Sequence, residues 1–112
     1  MIDAREFNIR DEAGSLLCPA CGYPSYACDP AYDERGGLIG VTICPCCLWE
    51  PGFDDSRFAS ARAGDSILES LRAYRAAWEA ALPWRGRNAS IPQNWSGKQQ
   101  LSCLFKFAPN VR

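Results

Sequence analysis

Two cysteine pairs constrain this chain more than any other feature: Cys18-Pro19-Ala20-Cys21-Gly22 and Cys44-Pro45-Cys46-Cys47. Each pair sets two thiols three positions apart on a tight turn, and a proline fixes one backbone angle of that turn. Gly22 follows the first pair, where a left-handed backbone is often needed to aim amide groups at the sulfurs. Twenty-two residues separate Cys21 from Cys44, so two turns from different parts of the chain can close on one tetrahedral ion. The ligand set read from this spacing is Cys18, Cys21, Cys44 and Cys47. Cys46 then points away from the metal, and Cys28, Cys46 and Cys103 read as small buried apolar residues.

The spacing is close to that of a zinc ribbon, and 112 residues suit a single domain of this kind. A chain of this size buries a modest core, so a structural metal contributes substantially to folding. The expected division is an N-terminal arm over 1–14, a two-knuckle ribbon over 15–60, a helix over 65–82, and a loop with a terminal element over 83–112. The sequence opens with no basic stretch followed by an apolar run, and no segment is apolar for long enough to span a bilayer. Both points favour the cytoplasm, where thiols stay reduced and paired cysteines mean metal or redox chemistry. Seven cysteines, an odd number, also argue against a complete disulfide framework.

The chain has no histidine. Serine–histidine and cysteine–histidine catalysis are therefore excluded, and a zinc site must use thiolates or carboxylates. A four-cysteine zinc leaves no coordination position for water or substrate, so the expected site is structural and the protein is expected not to be an enzyme. Asp54 and Asp55 are adjacent acids, but they stand in a Pro51-Gly52 turn and read as a solvated loop rather than an acid–base pair. Iron is the alternative metal, because Cys-Pro-Ala-Cys-Gly-Tyr would also suit a rubredoxin-like electron carrier. Leu48 stands where the second knuckle of such a carrier has glycine.

Net charge is −1, but it is unevenly spread. Residues 1–60 hold ten acids and four bases, and residues 61–112 hold three acids and eight bases. The cysteine pairs are flanked by Asp29, Asp33, Glu34, Glu50, Asp54 and Asp55, so the metal end is electronegative. Nucleic acid is not expected there, since it requires a basic face. Arg72, Arg75, Arg85, Arg87, Lys98, Lys106 and Arg112, together with Trp84 and Trp95, give the C-terminal half the alternative reading of a nucleic-acid-binding or regulatory ribbon.

Residues 23–29 and 38–43 read as strands that carry the knuckles on hairpin arms, with a turn at Asp33-Glu34-Arg35-Gly36-Gly37. Ser66 and Glu69 form a capping box for the main helix, which runs from about Ser66 to Leu82. Its stripe is Ile67, Leu71, Tyr74, Trp78 and Leu82, with Arg72, Arg75 and Glu79 off the stripe, and Pro83 ends it. Leu101, Cys103, Phe105 and Phe107 alternate with Ser102, Leu104 and Lys106, which predicts a last strand, with a short helix as the alternative. The expected fold class is α+β: small zinc-ribbon-like hairpins on one main amphipathic helix, with a C-terminal strand or short helix.

From Cys18 to about Trp78 the chain resembles the bacterial cysteine-rich CPCC family. The matching motifs are Cys18-Pro19-Ala20-Cys21-Gly22-Tyr23, then Ile43-Cys44-Pro45-Cys46-Cys47-Leu48-Trp49-Glu50, then Ser66-Ile67-Leu68-Glu69-Ser70-Leu71-Arg72-Ala73-Tyr74. Family members usually carry an aromatic where Leu48 stands, and the stretch between the knuckles is longer here. The resemblance implies a small zinc-binding protein that works through a protein partner, such as an immunity protein facing a cognate toxin. On that reading Trp49, Glu50, Phe53, Asp54 and Asp55 are the contact residues, and no membrane is involved.

Overall fold

The computed structural model describes residues 2–56 and 63–112. The fold is α+β, with two small antiparallel hairpins and two helices. The first hairpin pairs β1 (Ile9–Arg10) with β2 (Leu16–Leu17), and Ile9 faces Leu17. The second pairs β3 (Tyr32–Asp33) with β4 (Gly36–Gly37), in the register Tyr32 to Gly37. Helix α1 runs over Ala63–Glu79 and α2 over Gly97–Phe107. One apolar core draws on residues from Ala4 to Val111, with Trp49, Trp78, Phe7, Leu17, Leu71 and Leu104 among its largest buried side chains. None of the described helices is long and apolar enough to cross a membrane.

Several expectations are corrected. The N-terminal arm packs onto the body and supplies the short strand β1. Asp3 caps a 3-10 turn over Ala4–Phe7, Glu6 completes the capping box, and Ala4, Phe7 and Ile9 enter the core. Asn8 then acts as a side-chain strand partner: its amide donates to the Tyr32 carbonyl at 2.8 Å, and its oxygen accepts from the Tyr32 amide at 3.1 Å.

The long strands expected over 23–29 and 38–43 are absent. Ser25 has φ +59°, which breaks an extended run, and only Leu17 and Pro24 make an isolated bridge there. Residues 38–43 run as irregular chain outside any ladder. The arms that carry the knuckles are thus much shorter than a ribbon's hairpins.

Helix α1 begins before Ser66, so the expected capping box is not its start. Ser66 lies inside the first turns and donates to the Asp55 carbonyl at 3.5 Å, as Ser70 does at 3.4 Å. Ile67, Leu71 and Trp78 are buried and Tyr74 half-buried, as the stripe requires, whereas Leu82 lies beyond the helix at φ +50°. Arg75 is a correction, because it is buried on the core side of the helix. The C-terminal element is the helix alternative rather than the strand. Ser96 caps it by accepting from the Gln99 amide, and Leu101 and Leu104, one helical turn apart, carry its buried side. Cys103 therefore faces outward.

Candidate metal centre

The two knuckles share one hydrogen-bond plan. In the first, the Cys18 amide donates to the Tyr23 carbonyl at 3.0 Å and the Gly22 amide to the Cys18 carbonyl at 2.7 Å. In the second, the Cys44 amide donates to the Trp49 carbonyl and the Leu48 amide to the Cys44 carbonyl, both at 2.9 Å. The Cys-Pro start and the left-handed fifth residue fold each turn the same way.

Closing the two turns on each other brings the Sγ atoms of Cys18, Cys21, Cys44 and Cys47 within 4.8 Å of one another, all four buried. The crossed pairs Cys18–Cys47 and Cys21–Cys44 lie 3.8 and 3.7 Å apart, too far for a disulfide. A tetrahedron with metal–sulfur bonds of about 2.3 Å has edges of roughly 3.8 Å. The four cysteines are thus positioned to bind one metal ion.

Burial sets the electrostatics of the tetrad. Burial pushes the Cys18 and Cys21 thiols well above their ordinary range. Burial pushes Cys44 the same way, but hydrogen bonds from Cys18, Cys21 and Cys47 outweigh it and hold that one sulfur down. All four sulfurs could ionise together in so dry a place only with a cation between them.

Further residues brace the knuckles. Trp49 is fully buried, donates its indole N–H to the Tyr32 hydroxyl at 2.9 Å, and meets Tyr74 edge-on at 5.1 Å between ring centroids. The Tyr74 hydroxyl donates to the Cys47 carbonyl at 2.5 Å, which ties α1 to the second knuckle. Arg75 ties α1 to the first. Its Nε donates to the Ala20 carbonyl at 2.8 Å, one terminal nitrogen to Pro19 at 2.7 Å, and the other to Val111 at 2.6 Å. Burial lowers its pKa, an effect opposed by Glu79 and by the sulfurs of Cys18 and Cys21. From α2, Gln100 donates to the Cys21 carbonyl at 3.1 Å and to the Cys46 sulfur at 3.5 Å. The loop after α1 closes the other side, with the Arg85 amide donating to the Cys46 carbonyl at 2.7 Å.

Compared with family models, curated proteins and solved structures, the chain matches none. The site is therefore read on its own geometry.

Cys46 is buried as expected, but Cys28 and Cys103 are exposed, which corrects their reading as core residues. Of the five expected contact residues, Trp49 and Asp55 turn inward. Asp55 accepts from the Gly52 amide at 2.9 Å, and burial raises its pKa. Asp54 accepts from the Glu50 amide at 2.7 Å, so both acids serve as acceptors inside the turn rather than as a solvated loop. Glu50 and Asp54 are half-buried, and Phe53 is exposed. Among the basic residues, Arg75 is withdrawn from the surface. Trp84 and Trp95 meet edge-on at 5.4 Å, with Tyr23 against Trp84 at the same spacing, so their faces are partly covered.

The sequence reading missed Gln100, Tyr32 and Arg75 as supports of the knuckles. Only Arg75 had a signal: it stands four residues after Leu71 and three before Trp78, on the phase of the buried stripe.

Proposed function

We propose that Cys18, Cys21, Cys44 and Cys47 hold one structural Zn2+, and that the protein acts without catalysis by binding another protein. The observation that carries this reading is the tetrad itself: four buried thiols within 4.8 Å, with two crossed edges of tetrahedral length. An ion with four thiolates has no open position, which favours a structural role. The carboxylates of Asp54 and Asp55 are occupied by backbone amides of their own turn, which leaves them poorly placed for proton transfer.

The edge lengths suit zinc and iron alike. Zinc is preferred because it needs no redox partner and holds a closed tetrahedral shell. The resemblance to the CPCC family supports a partner protein, in particular an immunity role against a toxin. The electronegative knuckle half would be steered onto a basic partner.

Elemental analysis of protein purified from iron-replete cells tests the metal: one zinc per chain and no colour are expected, and stoichiometric iron would replace zinc by an electron-transfer reading. Co-expression with the product of the neighbouring gene tests the partner. A stable complex and relief of toxicity are expected; neither appearing would end the immunity reading.

A further inference from the structure

Seven large apolar side chains are exposed among the described residues, and six of them fall between positions 38 and 53. The most open are Ile39 at 78 %, Phe53 at 67 % and Ile43 at 54 %, followed by Leu48 at 44 % and Val41 at 42 %. Within this stretch they fall into two groups, joined along the chain by Val41. Ile39 lies against the Pro51-Gly52 turn, where a Cβ on Gly52 would come within 2.8 Å of its Cγ1, and Phe53 is the next residue. Ile43 and Leu48 bracket the second knuckle, whose Leu48 amide bonds back to Cys44. Exposed apolar side chains gathered in one region mark interaction sites far more often than scattered ones do.

Leu48 adds an independent observation. Its φ is +68°, in the region that favours glycine, and its counterpart in the first knuckle is Gly22. Leucine there carries a left-handed strain of about 1–2 kcal/mol and leaves nearly half its side chain in water. A residue that breaks two local rules together points to a role outside the fold.

The charge around the region selects the occupant. From Asp29 to Asp55 there are six acids, of which Asp55 alone is buried, and one base, Arg35. Arg85 also reaches the second knuckle, but its guanidinium stands over Tyr74, 5.6 Å from the ring centroid. A two-fold contact between copies of this chain would set one acidic patch against another. Anionic lipid and nucleic acid are repelled likewise. We propose that Ile39, Val41, Ile43 and Leu48, with Phe53 at the edge, form the docking surface for a different protein, one that presents apolar side chains inside a ring of lysine and arginine. This rests on the binding reading above and moves its contact surface from the buried Trp49 and Asp55 to the exposed leucine and isoleucines. The metal clamp holds Ile43 and Leu48 in place before contact, which lowers the ordering cost of binding.

The test uses the zinc-loaded protein and two labelled amphipathic peptides, one of leucine and lysine and one of leucine and glutamate. The lysine peptide is expected to bind at least about tenfold tighter than the glutamate peptide and to weaken as salt rises. Leu48→Gly and Ile39→Ser are each expected to weaken it by about tenfold. Leu48→Gly matters most, because it should leave the chain at least as stable as the parent, so lost binding cannot be put down to misfolding. Equal binding of both peptides, or undiminished binding by both variants, would overturn the proposal. So would a dimer in sedimentation that Leu48→Gly dissolves, since the occupant would then be a second copy. Metal content of the same samples is read separately: a parent chain without metal counts against the structural-zinc reading, not against this surface.

Discussion

Gly22 and Leu48 hold the same post in the two knuckles, with left-handed backbones at φ +86° and +68°. Each amide donates to the carbonyl of the first cysteine of its pair. The posts differ in their surroundings. A Cβ on Gly22 would fall 2.7 Å from the Gln100 carbonyl oxygen and 2.9 Å from the Leu104 Cβ, so α2 packs where a side chain would stand. Leu48 instead points outward. Leu48→Gly relieves strain of about 1–2 kcal/mol, partly offset by roughly 0.5–1 kcal/mol of extra unfolded-chain freedom. A net gain of about 0.5–1 kcal/mol is expected, seen as a melting point a few degrees higher. Gly22→Ala meets both backbone strain and α2, and should cost about 2–4 kcal/mol. Thermal unfolding of the two variants checks the contrast; equal effects would refute the different packing of the two posts.

Removing a ligand should be far more severe than removing the neighbouring thiol. Cys21→Ser or Cys44→Ser leaves three thiolates for the ion. On the structural-metal reading proposed above, metal binding is folding free energy, and the loss should consume most of the roughly 5–15 kcal/mol that holds a small domain folded. Cys46→Ser keeps the tetrad and exchanges the sulfur that accepts from Gln100 and neighbours Cys21 for an oxygen, so metal content should stay at one per chain and stability should fall by about 1 kcal/mol. A strong chelator should reproduce the Cys21→Ser phenotype. Unfolding that is indifferent to the chelator would show that the core stands without metal.

The pattern of success and failure in reading the sequence has a physical basis. The tetrad was legible because two-residue gaps between cysteines fix ligand geometry locally. The α1 stripe was legible because its period repeats through Ile67, Leu71, Tyr74 and Trp78. The C-terminal element stayed open between strand and short helix because Leu101, Cys103, Phe105 and Phe107 alternate, while Leu101, Leu104 and Phe105 fit a helix equally well. The Ser96 cap decides between the two, and a cap is visible only once a helix start is suspected. Residues 38–43 look like a strand by composition, but no partner strand reaches them, and propensity without a ladder leaves them irregular. Asn8 and Gln100 carry no sequence signal, since their roles depend on Tyr32 and Cys21 arriving from elsewhere.

At the N-terminal turn the pH response is local. Hydrogen bonds from the Arg5 side chain and backbone lower the Asp3 pKa from 3.8 to about 2. The folded value lies below the unfolded one, so the contribution of Asp3 is complete above about pH 4 and is lost as pH falls toward 2. A carboxyl-carbon titration by NMR should place the midpoint near 2 in the parent and shift it upward in Arg5→Ala. An unmoved midpoint would mean that the turn, not Arg5, holds the carboxylate.

Arg75 is the largest departure from its expected place, and its three bonds join three parts of the chain. One guanidinium spans Pro19 and Ala20 in the first knuckle and Val111 near the C-terminal end, while its stem belongs to α1. Its planar fork also lies 5.0 Å from the Phe105 ring centroid, which brings in α2. Arg75→Ala would strand these carbonyls and open a void, and should cost about 3–5 kcal/mol. Arg75→Met fills the space but leaves the carbonyls unpaired, so it should recover only about 1–2 kcal/mol of that loss. Arg75→Lys keeps the charge but cannot span all three acceptors from one ammonium, and should fall well short of the parent. Since two of the bonds lie on the residues between Cys18 and Cys21, all three variants should also release metal to a chelator faster than the parent. Denaturant unfolding and timed metal release separate the alternatives: a lysine variant as stable and as slow to lose metal as the parent would show that charge alone, and not the fork, braces the first knuckle.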